Sequence, residues 1–192
     1  MPSLVFTTHP DVLIDPATPV PDWTLADRGR QRMRTFLANP LLPGLRSLWS
    51  STERKAVEAA AILGGHLGLP IATLHSLGEN DRSATGYLPR AEFEATADRF
   101  FAQPADSVRG WERAIDAQAR IVAAISCVIA QPPSDGDIAV VAHGGVGTLL
   151  LCHIQGCAIT RAWDQPANNG GNYFRFDIDT RTLQHGWRDI SA

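Results

Sequence analysis

Asp137-Ile138-Ala139-Val140-Val141-Ala142-His143-Gly144-Gly145 is the stretch on which the fold turns. Five apolar residues in a row, with no polar alternation, read as a strand covered on both faces, as in a parallel sheet between helices. The change to His-Gly-Gly marks the carboxyl end of that strand, with a helix predicted behind it over Val146–Ile154. Ser3-Leu4-Val5-Phe6-Thr7-Thr8 has the same character and is followed by His9. Helical spacing is predicted over Ala26–Leu37, Arg54–Leu67, Arg90–Ala102 and Trp111–Ala130. In the last of these, Ile115, Ala119, Val122, Ile125 and Ile129 read as one apolar stripe. Shorter strands fit Ser47–Ser50, Ile71–Leu74, Tyr173–Ile178 and Leu183–Trp187, the last two forming a hairpin across Asp179–Thr182. Alternating strands and helices predict an α/β fold, a three-layer α/β/α sandwich on a mostly parallel sheet. The expectation is one domain over residues 1–192, with the irregular segment 76–110 as a cap or specificity segment.

Composition narrows the function classes. With 17 Lys+Arg against 20 Asp+Glu the net charge is −3, which argues against a nucleic-acid partner, since that grip needs a basic stripe or patch. Lys55 is the sole lysine, so the cations are nearly all arginine, a residue suited to planar oxyanion recognition. Cys127, Cys152 and Cys157 are odd in number and form no C-x-x-C pair. They read as buried free thiols in a reducing compartment, not as a disulfide framework or zinc site. His66, His75, His153 and His185 show no ligand spacing, so no metal and no cofactor is expected. The longest apolar run, Ile121–Ala130, is too short to span a bilayer, and the N-terminus lacks the pattern of a signal peptide. A cytoplasmic protein without a membrane partner is expected. The hairpin edge near Tyr173–Trp187 leaves room for a homodimer.

In an open α/β sheet, ligands bind beyond the carboxyl ends of the strands. His9, Arg54, Glu79 and His143 all fall at such ends. Two imidazoles, a guanidinium and a carboxylate suit phosphoryl transfer, and the helix start after Gly145 adds backbone donors for an anion. Phe93, Phe100, Phe101 and Trp111 read either as core or as the lining of a cap pocket.

The ordered set of His9, Ser50-Ser51-Thr52-Glu53-Arg54-Lys55-Ala56, Glu79 and Val140-Val141-Ala142-His143-Gly144-Gly145 resembles the histidine phosphatase superfamily, also called phosphoglycerate-mutase-like. Trp23-Thr24-Leu25-Ala26-Asp27-Arg28-Gly29 and Pro166-Ala167-Asn168-Asn169-Gly170-Gly171-Asn172-Tyr173 resemble two further stretches of that family. The resemblance implies a phosphoglycerate-mutase-like fold and a metal-independent phosphatase acting on a small phosphorylated substrate. By it, His9 is the nucleophile carrying a transient phosphoryl group, and Arg54 and His143 bind the phosphoryl oxygens, with Thr8 and Gly144 beside them. Glu79 is the proton donor to the leaving oxygen.

The chain also departs from the family pattern. Thr8-His9-Pro10 stands where the family has Arg-His-Gly, and Asp15 stands where it often has Asn. Losing a charged partner of the phosphoryl group costs roughly 2–4 kcal/mol of transition-state stabilisation. Arg28 and Arg82 are the candidates to replace it, and a binding member of the fold without turnover is the alternative function. A serine hydrolase is disfavoured because the chain has no Gly-x-Ser-x-Gly elbow.

Overall fold

The computed structural model describes residues 2–133 and 135–192. Six strands, β1 (Ser3–Thr8), β2 (Leu45–Ser50), β3 (Ile71–Thr73), β4 (Asp137–Ala142), β5 (Asn172–Asp177) and β6 (Leu183–Asp189), form one sheet in the order β3-β2-β4-β1-β5-β6. The β3–β2, β2–β4 and β4–β1 pairs are parallel, and β5 runs antiparallel to both β1 and β6. The helices are α1 (Asp27–Phe36), α2 (Arg54–Leu67), α3 (Arg90–Ala102), α4 (Ala114–Ile129) and α5 (Gly144–Ile154).

The period of two along β1 and β4 explains the layering. Leu4, Phe6, Ile138 and Val140 face a core shared with Ile121 and Ile125 of α4 and Val146 and Leu150 of α5. Val5, Ala139 and Val141 face the opposite core, shared with Met33 and Phe36 of α1 and Ala56, Ala60 and Leu63 of α2. Because both faces are covered, the central strands are apolar throughout, as the uninterrupted runs predicted. A third cluster joins Phe100, Phe101 and Trp111 to Ala114, Ala117 and Leu149. No helix among the described residues is long and apolar enough to cross a membrane.

Two expectations are corrected. The buried face of α4 is Ala114, Ala117, Ile121, Ala124, Ile125 and Val128, whereas Ile115 is exposed. The stripe is therefore rotated by about one residue step, 100° around the helix, because alanines at 114, 117 and 124 let α5 approach closely. Cys152 is buried as expected, but Cys127 and Cys157 are exposed. The first lies on the outward face of α4 and the second in the turn beyond α5.

Candidate active site

The order of the strands creates the site. β1 and β4 are adjacent, with Thr8 in register with Ala142, so the residues that follow them emerge side by side. The His9 amide donates to the Ala142 carbonyl at 3.1 Å, and the His9 and His143 rings meet edge to face with centroids 5.1 Å apart. β2 ends alongside, where the Ser51 amide donates to the Val141 carbonyl at 3.1 Å.

His9 Nδ1 lies 3.1 Å from the Pro10 carbonyl. A carbonyl only accepts, so Nδ1 carries the proton and Nε2 presents its lone pair. Burial and the nearby Lys55 charge push the imidazole pKa down to about 4, which keeps the ring neutral at physiological pH. His143 is fully buried, and its pKa is also lowered, chiefly by burial. Its Nε2 lies 2.7 Å from Ser51 Oγ and 3.3 Å from Glu53 Oε1, while its buried Nδ1 has no partner. His143 itself lies beneath the cavity lining, between His9 and Gly144 of that lining, and its orphaned buried nitrogen calls for a partner.

Glu79 sits on the N-terminus of α5. Its carboxylate accepts from the amides of Gly145 and Val146, each at 3.0 Å, and from Asn80 at 3.1 Å. This seat explains the glycine pair. A Cβ at Gly145 would stand 2.7 Å from Glu79 Oε1, and one at Gly144 would stand 2.1 Å from Gln165 Nε2. His9, Glu79, Gly144 and Gly145 line one cavity of about 580 Å³.

Two expected site residues lie elsewhere. Arg54 is the first residue of α2; its side chain is 60% exposed and pairs with Glu58 at 3.0 Å, outside the cavity lining. One residue on, and 100° around the helix, Lys55 is buried and pairs with Glu53 while donating to the Val20 carbonyl at 2.8 Å. The cation beside the two histidines is therefore Lys55, and Glu53 beside it is held ionised, with its pKa pushed down, against the cost of burial, by the Lys55 charge and by hydrogen bonds from Lys55 and the Glu79 amide. Thr8 is also drawn away from the lining: its hydroxyl donates to Gln165 Oε1 at 2.8 Å and accepts from the Asn172 amide at 3.0 Å.

Of the two candidate replacement arginines, Arg28 stands 71% exposed near Asp11, off the cavity. Arg82 lines it. The Arg82 guanidinium carbon lies 5.2 Å from the Phe93 ring centroid and 5.6 Å from that of Trp111, with no carboxylate partner among the described residues. Its charge acts on both histidines. Asp15 turns away, accepting from the Ala17 amide at 3.0 Å and the Thr18 hydroxyl at 2.6 Å. Lys55, Glu53, Ser51 and Gln165 were not singled out from sequence; the usable signal was a lone lysine at a helix start next to a strand end. No group of three or more His, Cys, Asp or Glu able to hold a metal occurs among the described residues.

A family model of the histidine phosphatase superfamily (branch 1) matches residues 17–185, a span that begins after His9. Among solved structures, YhfR of Bacillus stearothermophilus superposes with a TM-score of 0.79 at 21% identity, over 97% of this chain and 95% of that one. Mycobacterial glucosyl-3-phosphoglycerate phosphatase, solved with inorganic phosphate, gives 0.76 at 20% identity over 100% of both chains. The phosphoserine phosphatase of Entamoeba histolytica, solved with 3-phosphoglyceric acid, gives 0.75 at 16% identity over 100% of both. Identities this low carry the fold alone. No curated protein sequence matches the chain.

Proposed function

The chain belongs to the histidine phosphatase superfamily, and from that premise we propose that it hydrolyses phosphomonoesters through a phosphoryl group carried on His9. The observation that carries the reading is the His9 ring: half-buried at the cavity, neutral, with Nδ1 tied to the Pro10 carbonyl and Nε2 making no hydrogen bond among the described residues. In the first half-reaction the Nε2 lone pair forms a bond to phosphorus, and the bond from phosphorus to the ester oxygen breaks. Glu79 gives a proton to that departing oxygen. In the second half-reaction water attacks the phosphohistidine, its proton returns to Glu79, and the bond to Nε2 breaks to release phosphate.

Arg82, which lines the cavity, takes the place of an arginine expected from the family pattern, and Lys55, buried outside the lining and paired with Glu53, adds its charge through the site's field. His143 Nε2 is held by Ser51 Oγ and the ionised Glu53 carboxylate, and a phosphoryl dianion beside the unpartnered Nδ1 favours the imidazolium, whose Nδ1–H donates to it. Wild type and His9→Ala are compared on p-nitrophenyl phosphate in the presence of a chelator. The expected result is activity that survives chelation and falls at least about 10³-fold in the variant. Equal hydrolysis by both proteins overturns the reading.

One observation favours a second reading, that of an anion-binding protein without turnover: Thr8 supplies no charge, and its hydroxyl is committed to Gln165. That reading expects phosphate binding with no hydrolysis of any member of a broad phosphomonoester panel.

A further inference from the structure

Resting on that hydrolytic reading, we propose that the substrate is the phosphomonoester of an alcohol with a flat apolar body and no second anionic group. A cavity of about 580 Å³ is far larger than a phosphoryl group and falls in the range that encloses a whole small ligand. The phosphoryl end is fixed by His9, Glu79 and Gly144 at the strand ends. The remainder is walled by Trp23, Tyr87, Phe93, Phe100, Phe101 and Trp111.

The indoles and phenyl rings offer faces, not donors, and the Tyr87 hydroxyl is the one free polar tip in this wall among the described residues. Trp23 Nε1 donates to the carbonyls of Asp15 and Thr18, each at 3.0 Å, and Trp111 Nε1 donates to Thr85 Oγ1 at 2.8 Å. The indole N–H groups are thus satisfied within the protein, and what faces the cavity is π-surface suited to a planar apolar group. Ile14 lines the same cavity while 61% exposed, so an apolar body would cover a side chain that otherwise faces water.

The outer cavity carries Arg90 and Arg161 against Glu94 and Asp164, so it has no net positive charge to draw a second anion. Arg161 is held by Glu94, Asp98 and Asp164, and two of these carboxylates line the cavity with it. Arg90, the remaining outer cation, makes no ion pair among the described residues, and the Glu94 carboxylate one helical turn along α3 is already taken by Arg161. Arg82, wedged against Phe93 and Trp111, stands where the aromatic wall begins, and it serves the single phosphoryl group.

The test compares 2-phenylethyl phosphate, ethyl phosphate and 3-phosphoglycerate, whose alcohol leaving groups are alike enough that intrinsic reactivity does not dominate. The expected result is a kcat/KM for 2-phenylethyl phosphate at least about 100-fold above the other two, a difference that Tyr87→Ala narrows through KM. In parallel, calorimetry measures 2-phenylethylphosphonate and methylphosphonate binding to His9→Ala. Turnover of all three esters with similar kcat/KM overturns the inference and leaves the hydrolase reading standing. No turnover, together with tighter binding of the phenylethyl compound, overturns the hydrolase reading and supports the apolar ligand class. Equal or absent binding of both phosphonates overturns the inference.

Discussion

Lys55 shares its charge between a carboxylate and two imidazoles. It is buried against Glu53, yet its positive charge is one of the causes that hold His9 and His143 neutral. Removing it takes away both a positive charge acting on the site and the counter-charge of Glu53, leaving an unpaired carboxylate beside the nucleophile. Lys55→Met is therefore expected to lower kcat/KM about 10²–10³-fold. Arg54→Ala, which removes only an exposed pair with Glu58, is expected to stay within about twofold. Steady-state kinetics of the two variants decides the matter, and the reverse ranking would reinstate Arg54 as the phosphoryl ligand. The adjacent pair also marks where sequence reading stops. The convergence of His9, Glu79 and Gly144 on one cavity, with His143 against His9, was readable because strand ends and glycines announce them. Which of two neighbouring cations faces inward depends on the rotation of α2 against the sheet, which the spacing within the motif leaves open. Thr8 failed for a similar reason, since its partner Gln165 is 157 positions away.

At the scale of the element, the bounds of β1, β4, α2 and α3 followed from composition, because continuous apolar runs mark the strands, Gly68 ends α2 and Pro89 precedes α3. The face of α4 did not. Between Ala114 and Ile129 so many residues are apolar that more than one stripe satisfies the helical period. The side chosen by the fold is the one whose alanines admit α5. Ile121→Ala is expected to lose about 2–5 kcal/mol of stability through the cavity it leaves, whereas Ile115→Ala, on the exposed side, stays within about 0.5 kcal/mol. Urea unfolding of both variants checks this. A comparable loss at Ile115 would restore the stripe read from sequence.

For the whole molecule, the neutral histidines couple the site to acid stability. His9 has its pKa lowered from 6.5 to about 4, so the unfolded chain takes up a proton that the folded one refuses. The stabilisation tied to its neutral form is complete above pH 6.5 and is lost as pH falls from 6.5 towards 4. Its size is about 3 kcal/mol. His143 acts in the same direction and over the same onset. Glu53, with its pKa lowered to about 2, holds its contribution above pH 4.5 and loses it as pH falls through 2. The urea midpoint is expected to decline steadily from pH 7.5 to 4.5, and less steeply in His9→Gln. A flat midpoint over that range in the wild type would mean that His9 titrates normally. The layered architecture was open to sequence reading because buried strands joined by helices read as a parallel sheet between helices, whereas the strand order, set by contacts distant in the chain, was not. The aromatic cavity was only half readable: Phe93, Phe100, Phe101 and Trp111 serve as core and lining at once, and no periodicity separates those roles.

The measurement that bears most directly on the account is trapping of the covalent intermediate. Wild type, His9→Ala and Lys55→Met are mixed with ³²P-labelled 2-phenylethyl phosphate, quenched in alkali within the first turnover, and digested for peptide mapping. The account expects an acid-labile, alkali-stable label on the peptide that carries His9, absent from His9→Ala and reduced in Lys55→Met. Hydrolysis by the wild type with no label, a label on another residue, or neither label nor turnover across further esters would contradict a phosphoryl group carried on His9.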